Sequence, residues 1–354
     1  KESVMNIIKE KLTLSTSNRL LEVADLKTSL YLKQGPTTVV SNVSFHLDTR
    51  ETLGIVGESG CGKSILALSL LRLLPKIGKI DQGSIKLNGL DIVNLDIKEL
   101  QKIRGNEMSM IFQEPMTSLN PLKTIGSQIS ESIFLHLGLS KKNSMDRSIE
   151  MLDLVMIPDA KKRFNDLPHQ MSGGMRQRVM IAMALSCNPK VLLADEPTTA
   201  LDVTIQAQII DLIGGLKDKL GTSTILISHD LGLMAEQADR VLVMYAGKIV
   251  EESDVLSIFT QPCHPYTVGL LNCIPKIGSS KLKLKSRKRL REIKGFVPSM
   301  NDLPNGCSFQ ERCTFATKLC KSEIPILEVK FPGHRSACWH SEKILNNGTN
   351  ISIT

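Results

Sequence analysis

The sequence has no long uninterrupted run of apolar residues, no internal repeat and no sustained heptad pattern. No window of the 354 residues approaches the roughly 18 apolar residues that a membrane-spanning helix requires. This absence excludes a bilayer-spanning helix within the sequence. The first nineteen residues are polar and charged, so we also expect no secretory signal peptide. Both observations favour a protein of the cytoplasm, where cysteines stay reduced.

Net positive charge is also lacking over most of the chain. The formal net charge is +8, but residues 281–294 (KLKLKSRKRLREIK) hold eight basic residues and one acid, and so supply +7 of it. The rest is nearly neutral, which excludes nucleic-acid binding by the whole surface. Two interpretations of the basic segment stay open: a solvated linker, or contact with anionic lipid headgroups.

A glycine-rich segment lies between a short apolar run and a predicted helix. Residues 57–64 read GESGCGKS, which is the G-x-x-x-x-G-K-S pattern of a phosphate-binding loop. Its glycines allow backbone N–H groups to point inward at phosphate, and the following helix adds its positive N-terminus. Lys63 is predicted to reach the β- and γ-phosphates, and Ser64 to bind Mg²⁺. The predicted nucleotide-binding residues are Gly57, Glu58, Ser59, Gly60, Cys61, Gly62, Lys63 and Ser64.

Two carboxylates follow a second apolar run. Residues 191–194 (VLLA) predict a buried strand, which is followed by Asp195 and Glu196. Beside a phosphate loop, Asp195 is placed to hold Mg²⁺ and Glu196 to orient or polarise the attacking water. The alternative is a strand that ends in a solvated acidic turn. The presence of the phosphate loop favours the catalytic interpretation.

Three further motifs carry polar groups that are candidates for the same nucleotide site. Residues 171–177 (MSGGMRQ) place a hydroxyl and free amides before a predicted helix, which suits either an anion site or an ordinary N-cap. His229 follows the predicted strand 224–228 and is a candidate contact of the γ-phosphate, although a lone histidine there is commonly structural. Gln113, after the predicted strand 108–112, is a candidate ligand of Mg²⁺ or of the attacking water.

Predicted strands and helices alternate along most of the chain. Several β-α-β units imply a mostly parallel sheet with helices on both faces and ligands at the carboxyl ends of the strands. A helical region is predicted over 119–185, interrupted by the polar and charged stretches 140–147 and 159–166. Composition changes near residue 260, where proline, cysteine and basic residues increase. The predicted divisions are an N-terminal extension over 1–19, a nucleotide-binding domain over 20–260 and a C-terminal extension over 261–354.

In their order and spacing, these motifs resemble those of ABC-type ATPases. The resemblance covers roughly residues 20–252 and makes Gln113, Glu196 and His229 the expected catalytic residues. It implies an α/β fold: a RecA-like P-loop core with an antiparallel β subdomain and a helical signature subdomain, plus a small cysteine-containing C-terminal extension. It also implies two ATP molecules with Mg²⁺, held between two such domains, and Ser64, Gln113 and Asp195 as the Mg²⁺ ligands.

The same resemblance assigns roles to three other segments. In that family the signature of one domain contacts the γ-phosphate that the other domain holds. An aromatic residue that stacks on adenine is expected about 30 residues before the phosphate loop, and Tyr31 is the nearest candidate. The signature residues are Ser172, Gly173, Gly174 and Met175, and the D-loop residues are Ala200, Leu201 and Asp202.

Longer stretches narrow the resemblance to the ATPase subunits of oligopeptide and dipeptide importers. They are residues 171–185, 194–209, 264–271 (HPYTVGLL) and the cysteine-bearing tail. The resemblance implies an ATP-hydrolysing energy-coupling subunit, peripheral on the cytoplasmic face of the cell membrane. Implied partners are a second ATPase subunit (expected to be a paralogue), two membrane-spanning permease subunits and, indirectly, an extracytoplasmic peptide-binding protein. No nucleic acid is expected.

Two alternative functions stay open. One is the same role in an importer of nickel or another small solute. The other is a soluble ABC ATPase that acts on nucleic acid or ribosomes, which the basic segment alone favours. Against it, the chain has one nucleotide domain, and the roughly 110 residues between phosphate loop and signature lack the heptads of a long coiled coil.

Four of the eight cysteines lie within 32 residues of the tail. Cys307, Cys313, Cys320 and Cys338 are spaced x5, x6 and x17, without the C-x2-C of a zinc ribbon. Four thiolates suit an iron–sulfur cluster or Zn²⁺, and unliganded thiols are the remaining alternative. The pattern resembles the one that holds a [4Fe–4S] cluster in peptide-importer ATPases. The other cysteines, Cys61, Cys187, Cys263 and Cys273, are interpreted as small apolar fillers.

Overall fold

The computed structural model describes residues 19–114, 118–199, 202–274 and 293–348. Three predicted features lie largely outside these ranges: the N-terminal extension, the basic segment 281–294, and Ala200 with Leu201 of the predicted D-loop. Across the described ranges, no helix combines the length and apolar character that crossing a bilayer would take.

The described strands and helices alternate along the chain. The strands are β1 (Arg19–Leu32), β2 (Gly35–Asp48), β3 (Thr52–Val56), β4 (Gly78–Leu87), β5 (Leu90–Asp91), β6 (Met108–Ile111), β7 (Val191–Asp195), β8 (Ser223–Ser228), β9 (Arg240–Tyr245), β10 (Lys248–Asp254), β11 (Glu328–Phe331) and β12 (His334–Ser336). The helices are α1 (Lys63–Leu70), α2 (Ile97–Ile103), α3 (Ile125–Leu137), α4 (Lys141–Leu154), α5 (Ala160–Arg163), α6 (Gly173–Leu185), α7 (Val203–Leu220), α8 (Leu231–Gln237), α9 (Val255–Thr260), α10 (Pro265–Asn272), α11 (Lys318–Ser322) and α12 (Ser341–Gly348).

An antiparallel sheet forms one layer of the structure. Its strand order is β2-β1-β4-β5, and β1 pairs with both β2 and β4 over most of its length. Leu21, Val43 and Ile85 on this sheet are fully buried in one apolar cluster with side chains of β3 and α1. The sheet therefore packs over the helix that follows the glycine-rich loop, and it is the antiparallel β subdomain that the resemblance implies.

The second sheet contains the strands that carry the candidate site. Its order is β11-β12-β10-β9-β3-β8-β7-β6, and β9, β3, β8, β7 and β6 run parallel. Every residue of β3, β7 and β8 is buried, which explains their continuous apolar runs. Because parallel strands end at one edge, the segments after β3, β6, β7 and β8 meet there. This arrangement confirms the predicted α/β core.

The helical region differs from prediction at residues 140–147. These residues do not interrupt the helices, because Ser140 is the N-cap of α4 and accepts a hydrogen bond from the Asn143 backbone N–H at 3.2 Å. Two serines of α4 lie on its buried face, and one of them, Ser148, bonds Ser130 of α3 at 2.8 Å. Small hydroxyls here replace the apolar side chains from which a helix face is normally recognised.

The C-terminal extension adds two strands to the edge of the core sheet. β12 pairs antiparallel with β10, and β11 pairs with β12. The composition change near residue 260 is thus followed by chain that hydrogen-bonds back onto the sheet. A further bond joins the Thr37 hydroxyl of β2 to Asn301 at 2.6 Å.

A buried carboxylate, Glu251 of β10, holds this edge together. One oxygen accepts from the Cys263 backbone N–H and lies 2.7 Å from His334 Nε2, and the other accepts from the His264 backbone N–H at 3.0 Å. Glu251 and His334 are at most 4% exposed. Burial raises the pKa of the neighbouring Cys263 thiol to about 12, so that sulfur stays protonated. Since both carboxylate oxygens already have donors, we interpret the group as a structural network.

Replacing Glu251 with alanine should strongly destabilise the protein. The substitution leaves two buried N–H donors and a buried imidazole without their acceptor, which costs about 3–5 kcal/mol of unfolding free energy. Urea denaturation should show that loss. Glu328→Ala, which removes only the exposed pair with Lys330, should change stability by about 0.5 kcal/mol or less. Equal stability of the two variants would refute the role of this network.

Candidate functional site

The glycine-rich segment forms a tight turn between β3 and α1. Gly57 lies against the backbone of β9, because a Cβ there would come 2.2 Å from the Met244 carbonyl oxygen. Gly60 and Gly62 have φ values of 80° and 104°, in the left-handed region that side chains disfavour. Gly62 is also the N-cap of α1, so the turn leads directly into a helix N-terminus. The predicted loop conformation therefore depends on its glycines.

Lys63 is folded back into this turn. Its Nζ donates to the carbonyl oxygens of Gly57 at 2.8 Å and Glu58 at 3.0 Å, and the residue is 4% exposed. Ser59 and Gly60, at the tip of the turn, are exposed. The ammonium group thus lies inside a loop that opens to solvent at its tip, where an anion could reach it. Cys61 is buried, and burial raises the pKa of its thiol.

Asp195 ends β7 next to the serine that follows Lys63. It is 4% exposed, and burial raises the pKa of its carboxyl group, while a hydrogen bond from the Ser64 hydroxyl opposes that rise. Among the described residues, its Oδ1 has no hydrogen-bond partner. The Asp195 Oδ1 atom and the Ser64 hydroxyl oxygen therefore form a suitable pair of oxygen ligands for Mg²⁺.

Glu196 is the centre of a polar cluster at the carboxyl ends of the strands. Gln113 Nε2 donates to Glu196 Oε2 at 3.3 Å, and His229 Nδ1 lies 3.4 Å from Oε1. The Thr199 hydroxyl also donates to Oε2 at 3.0 Å. The structure therefore brings together the three side chains that the sequence predicts for catalysis. Sequence reasoning misses Thr199, although its position three residues after Glu196 in a turn is a recognisable signal.

The backbone of Glu196 is strained. Its φ is 45°, which is uncommon for a residue with a side chain, and its N–H continues the sheet ladder to Ile227 at 2.9 Å. Such a conformation costs roughly 1–3 kcal/mol and persists where surrounding structure enforces it, often at functional sites. Here it turns the carboxylate of the residue after β7 towards Gln113 and His229.

The predicted signature lies at the start of α6. Ser172 is the N-cap and accepts from the Met175 backbone N–H at 3.3 Å, so the helix begins earlier than predicted, at Gly173. Ser172 and Gly173 are exposed, and Gly174 and Met175 are half-buried. Gln177 of the same helix is buried and donates to the Pro197 carbonyl oxygen, directly after Glu196. The helix thus connects an exposed N-terminus to the turn that contains Glu196 and Pro197.

Two other predicted residues have clear structural roles. Asp202 is the N-cap of α7, where its carboxylate accepts from the Ile205 backbone N–H at 3.0 Å. Tyr31 lies on β1, 48% exposed, and its hydroxyl donates to Asp81 at 2.8 Å. Its ring face is therefore available to solvent.

The four tail cysteines surround one small cavity. Cys307, Cys313, Cys320 and Cys338 all line it. The Cys307 backbone N–H donates to the Cys320 carbonyl oxygen at 2.8 Å, which joins the first and third of these residues. Burial raises the pKa of Cys313 to about 11 and that of Cys338 to about 12, so without a metal these two sulfurs stay protonated.

The positions of these sulfurs can be compared with the geometry of a single zinc ion. Tetrahedral Zn–S bonds of about 2.3 Å would place the sulfurs about 3.8 Å apart. In the described chain, no three of the four sulfurs lie within 4.8 Å of one another. A four-iron cluster binds each thiolate to a different iron, so its thiolates stand farther apart. Within the described residues, these sulfurs are therefore not gathered at the spacing of a single Zn²⁺ ion.

Sequence comparison finds two family models in this chain. Residues 40–199 match the model described as ABC transporter, and residues 250–320 match the C-terminal region of oligopeptide/dipeptide transporters. A Sinorhizobium fredii protein named as a probable peptide ABC transporter ATP-binding protein is 50% identical over 92% of this chain and 96% of its own. The oligopeptide transport ATP-binding proteins AppD of Bacillus subtilis and OppD of Salmonella typhimurium are 50% and 49% identical, over 92% and 91% of this chain and 97% and 94% of theirs.

Structural comparison finds the same fold. A dimeric ATP-binding cassette, MJ0796, in a post-hydrolysis state with ADP and Pi, superposes with a TM-score of 0.60 at 27% identity, over 66% of this chain and 98% of its own. The ABC transporter component cbiO1 from Clostridium perfringens, at 24% identity, has a TM-score of 0.58 over 69% of this chain and 91% of its own. The predicted RecA-like cassette is thus confirmed at the level of the fold.

Proposed function

Because the chain belongs to the ATP-binding subunits of ABC transporters, in the oligopeptide and dipeptide importer family, we propose that it powers peptide uptake through a membrane complex. It is an ABC-type ATPase. The observation that carries the catalytic part is the convergence of Gln113, Thr199 and His229 on the Glu196 carboxylate, next to the phosphate loop.

Each residue of this cluster has a specific role in the proposed hydrolysis. Glu196 accepts a proton from the attacking water, and Gln113 orients that water through its amide. His229, whose side chain is 62% exposed, contacts the γ-phosphate. The amides of residues 57–64 and Lys63 bind the β- and γ-phosphates, and Tyr31 stacks on adenine through its exposed ring face. Most of the rate then comes from positioning and charge neutralisation.

Mg²⁺ would be held by Ser64 and Asp195, with Gln113 as a further oxygen ligand. The orphaned Asp195 Oδ1 and the adjacent Ser64 hydroxyl support this assignment. When bound, the ion supplies positive charge that neutralises the phosphate oxygens. The chain's own contribution is to keep the buried carboxylate next to the phosphate loop.

The exposed signature supports a second proposal, that the site is completed by another ATPase subunit. Ser172 and Gly173 at the start of α6 are free to meet a partner's nucleotide, while the partner's signature caps the nucleotide at residues 57–64. We propose a paralogue as that partner, and two membrane-spanning permease subunits that receive the motion. The chain would then lie peripherally on the cytoplasmic face of the membrane, supplied with peptides by an extracytoplasmic binding protein.

Purification of the chain from detergent-solubilised membranes tests this function. Permease subunits and a second ATPase should co-purify, and ATP hydrolysis by the assembled complex should exceed that of the isolated chain and rise with peptide. Recovery of ribosomes or DNA in place of membrane subunits would favour the soluble alternative and overturn the importer proposal. Stimulation by nickel or another solute, and not by peptides, would reassign the cargo.

We further propose that the four tail cysteines hold a [4Fe–4S] cluster. The cavity that all four cysteines line supports this proposal. When bound, the cluster would cross-link three separate segments of the extension through thiolate–iron bonds. Residues 307–320 and Cys338 would be fixed relative to one another by it.

The cluster proposal predicts roughly four iron and four sulfide per chain in anaerobically purified protein. Replacing Cys313 and Cys320 together with serine should abolish that iron and the brown colour. Cys187→Ser is the matched control, because this cysteine lies among the hydroxyl groups of Ser132 and Ser186 and outside the cavity. Stoichiometric zinc, or no metal in the wild-type protein, would refute the cluster.

A further inference from the structure

An arginine of the C-terminal extension with a buried side chain forms an ion pair with the phosphate loop. The side chain of Arg312 is 4% exposed and makes two parallel bonds to Glu58, from Nη1 to Oε2 at 2.7 Å and from Nη2 to Oε1 at 2.9 Å. Its remaining N–H groups donate to the carbonyl oxygens of Ile293 at 3.1 Å and Lys294 at 3.0 Å, and to the Tyr245 hydroxyl at 3.4 Å. Such bidentate charge-assisted pairing fixes both position and orientation of the carboxylate.

A second contact holds the backbone of the same loop residue. The Glu58 N–H donates to the Tyr266 hydroxyl at 2.8 Å. The ring of Tyr266 packs against Tyr245 and Phe309, with centroids 4.7 Å and 5.5 Å away. The Arg312 guanidinium lies 5.8 Å from the ring centres of both Tyr245 and Phe309. The side chain and the backbone of Glu58 are therefore both attached to one aromatic and cationic cluster outside the loop.

This cluster is part of the cysteine-bearing segment. Arg312 immediately precedes Cys313, and its backbone N–H donates to the Phe309 carbonyl oxygen at 3.1 Å. Cys307, at the start of this turn, is tied to Cys320 through their backbones. A displacement of the cysteines thus moves the residues on either side of Arg312. The chain that surrounds the cysteine cavity and the chain that binds Glu58 are the same few residues.

We propose that Arg312 is a positioning residue of the phosphate loop, and that it couples nucleotide binding to the state of the four-cysteine extension. The inference rests on the proposed nucleotide binding at residues 57–64. Glu58 is the second residue after β3, and its own carbonyl oxygen is one of the two that hold Lys63. With Arg312 in place, the loop is preorganised for phosphate. Without it, the loop must be ordered by the nucleotide itself, and part of the binding energy is lost.

Nucleotide titration of the purified complex tests this role. In Arg312→Met, the Kd of a fluorescent ATP analogue and the KM for ATP should rise about tenfold, within the usual range of coupling between sites. The kcat at saturating ATP should stay near the wild-type value, because Arg312 does not touch the reacting groups. A purely structural defect would lower the active fraction and kcat without this selective change in KM.

Arg335→Met is the matched control. Arg335 also belongs to the extension and also pairs with a glutamate, but its partner is Glu252 of β10, at 2.8 Å, and not the loop. This variant should bind the analogue as the wild type does. Glu58→Gln approaches the same contact from the loop side, so it keeps the proposal testable if Arg312→Met folds poorly. Glu58→Gln should weaken binding similarly, and the double variant should be no worse than either single one.

The coupling must be reciprocal, so ATP should also change the extension. Hydrogen exchange of residues 307–320 should slow when the analogue binds to the wild-type complex. That protection should disappear in Arg312→Met and persist in Arg335→Met. Metal content measured on the same samples separates this effect from loss of a cluster.

The outcomes are distinct. Weaker binding in Arg312→Met and Glu58→Gln, without additivity and with lost protection, supports the coupling. Wild-type binding by Arg312→Met, alongside lost binding in Lys63→Met, overturns it and leaves the nucleotide site intact. Wild-type binding by Lys63→Met would instead contradict the nucleotide site itself.

Discussion

Glu196→Gln in the assembled complex should keep ATP binding and lose nearly all turnover. General base catalysis contributes about 10²–10⁴-fold in rate, and the amide cannot accept the proton of the attacking water. Glutamine preserves the size of the side chain and one oxygen acceptor for Gln113 and Thr199, so the site should keep its shape. With ATP bound and not hydrolysed, the complex should accumulate in its closed, dimeric state.

Two measurements separate this outcome from unfolding. Steady-state phosphate release gives the loss of turnover, and nucleotide binding by the same sample shows that the loop is intact. Glu107→Gln is the control, because Glu107 makes a surface ion pair with Lys190 at 2.8 Å and is not part of the Glu196 cluster. Phosphate release by Glu196→Gln at the wild-type rate would show that Glu196 is not the base.

The sequence predicts most of the site because the relevant residues follow buried parallel strands. Residues at or just after the ends of such strands meet at one edge, so the strand pattern together with the order of the motifs predicts that Asp195, Glu196, Gln113 and His229 lie close together. The loop at 57–64 is equally local, since its conformation depends on its own glycines. The positions of the strand-end residues and of the loop can therefore both be predicted from the order of the motifs and the apolar pattern of the strands.

Other features depend on contacts that no local pattern encodes. The prediction divides the helical region wrongly at α4 because the buried face of this helix uses Ser144 and Ser148, and Ser148 finds its partner on α3 only after the two helices pack together. The Arg312–Glu58 pair joins residues 254 positions apart, and neither residue is unusual in its own segment. Composition separates the extension from the cassette, whereas its strands complete the cassette's sheet. Pairing partners at this distance are decided by packing, which the sequence alone does not show.

Replacing Lys63 with methionine should abolish useful nucleotide binding. The lysine is buried and its Nζ has two carbonyl acceptors in the loop, so it is held where a phosphate oxygen would replace one of them. A charged hydrogen bond contributes about 1.5–3 kcal/mol, and roughly 3 kcal/mol corresponds to a Kd about 100-fold higher. Methionine fills the same space without the charge, so the loop and α1 should remain folded.

The thermal stability of the complex with and without Mg-ATP reports this loss directly. At an ATP concentration of about 100 times the wild-type Kd, binding stabilises the folded wild type by about 2.7 kcal/mol. A variant whose Kd is about 100-fold higher gains only about 0.4 kcal/mol at the same concentration, so its melting temperature should hardly respond to ATP. Lys190→Met, which removes a lysine from an exposed ion pair, should respond as the wild type does. An equal response in Lys63→Met would show that the ammonium group does not bind the nucleotide, because the melting shift depends on affinity and not on turnover.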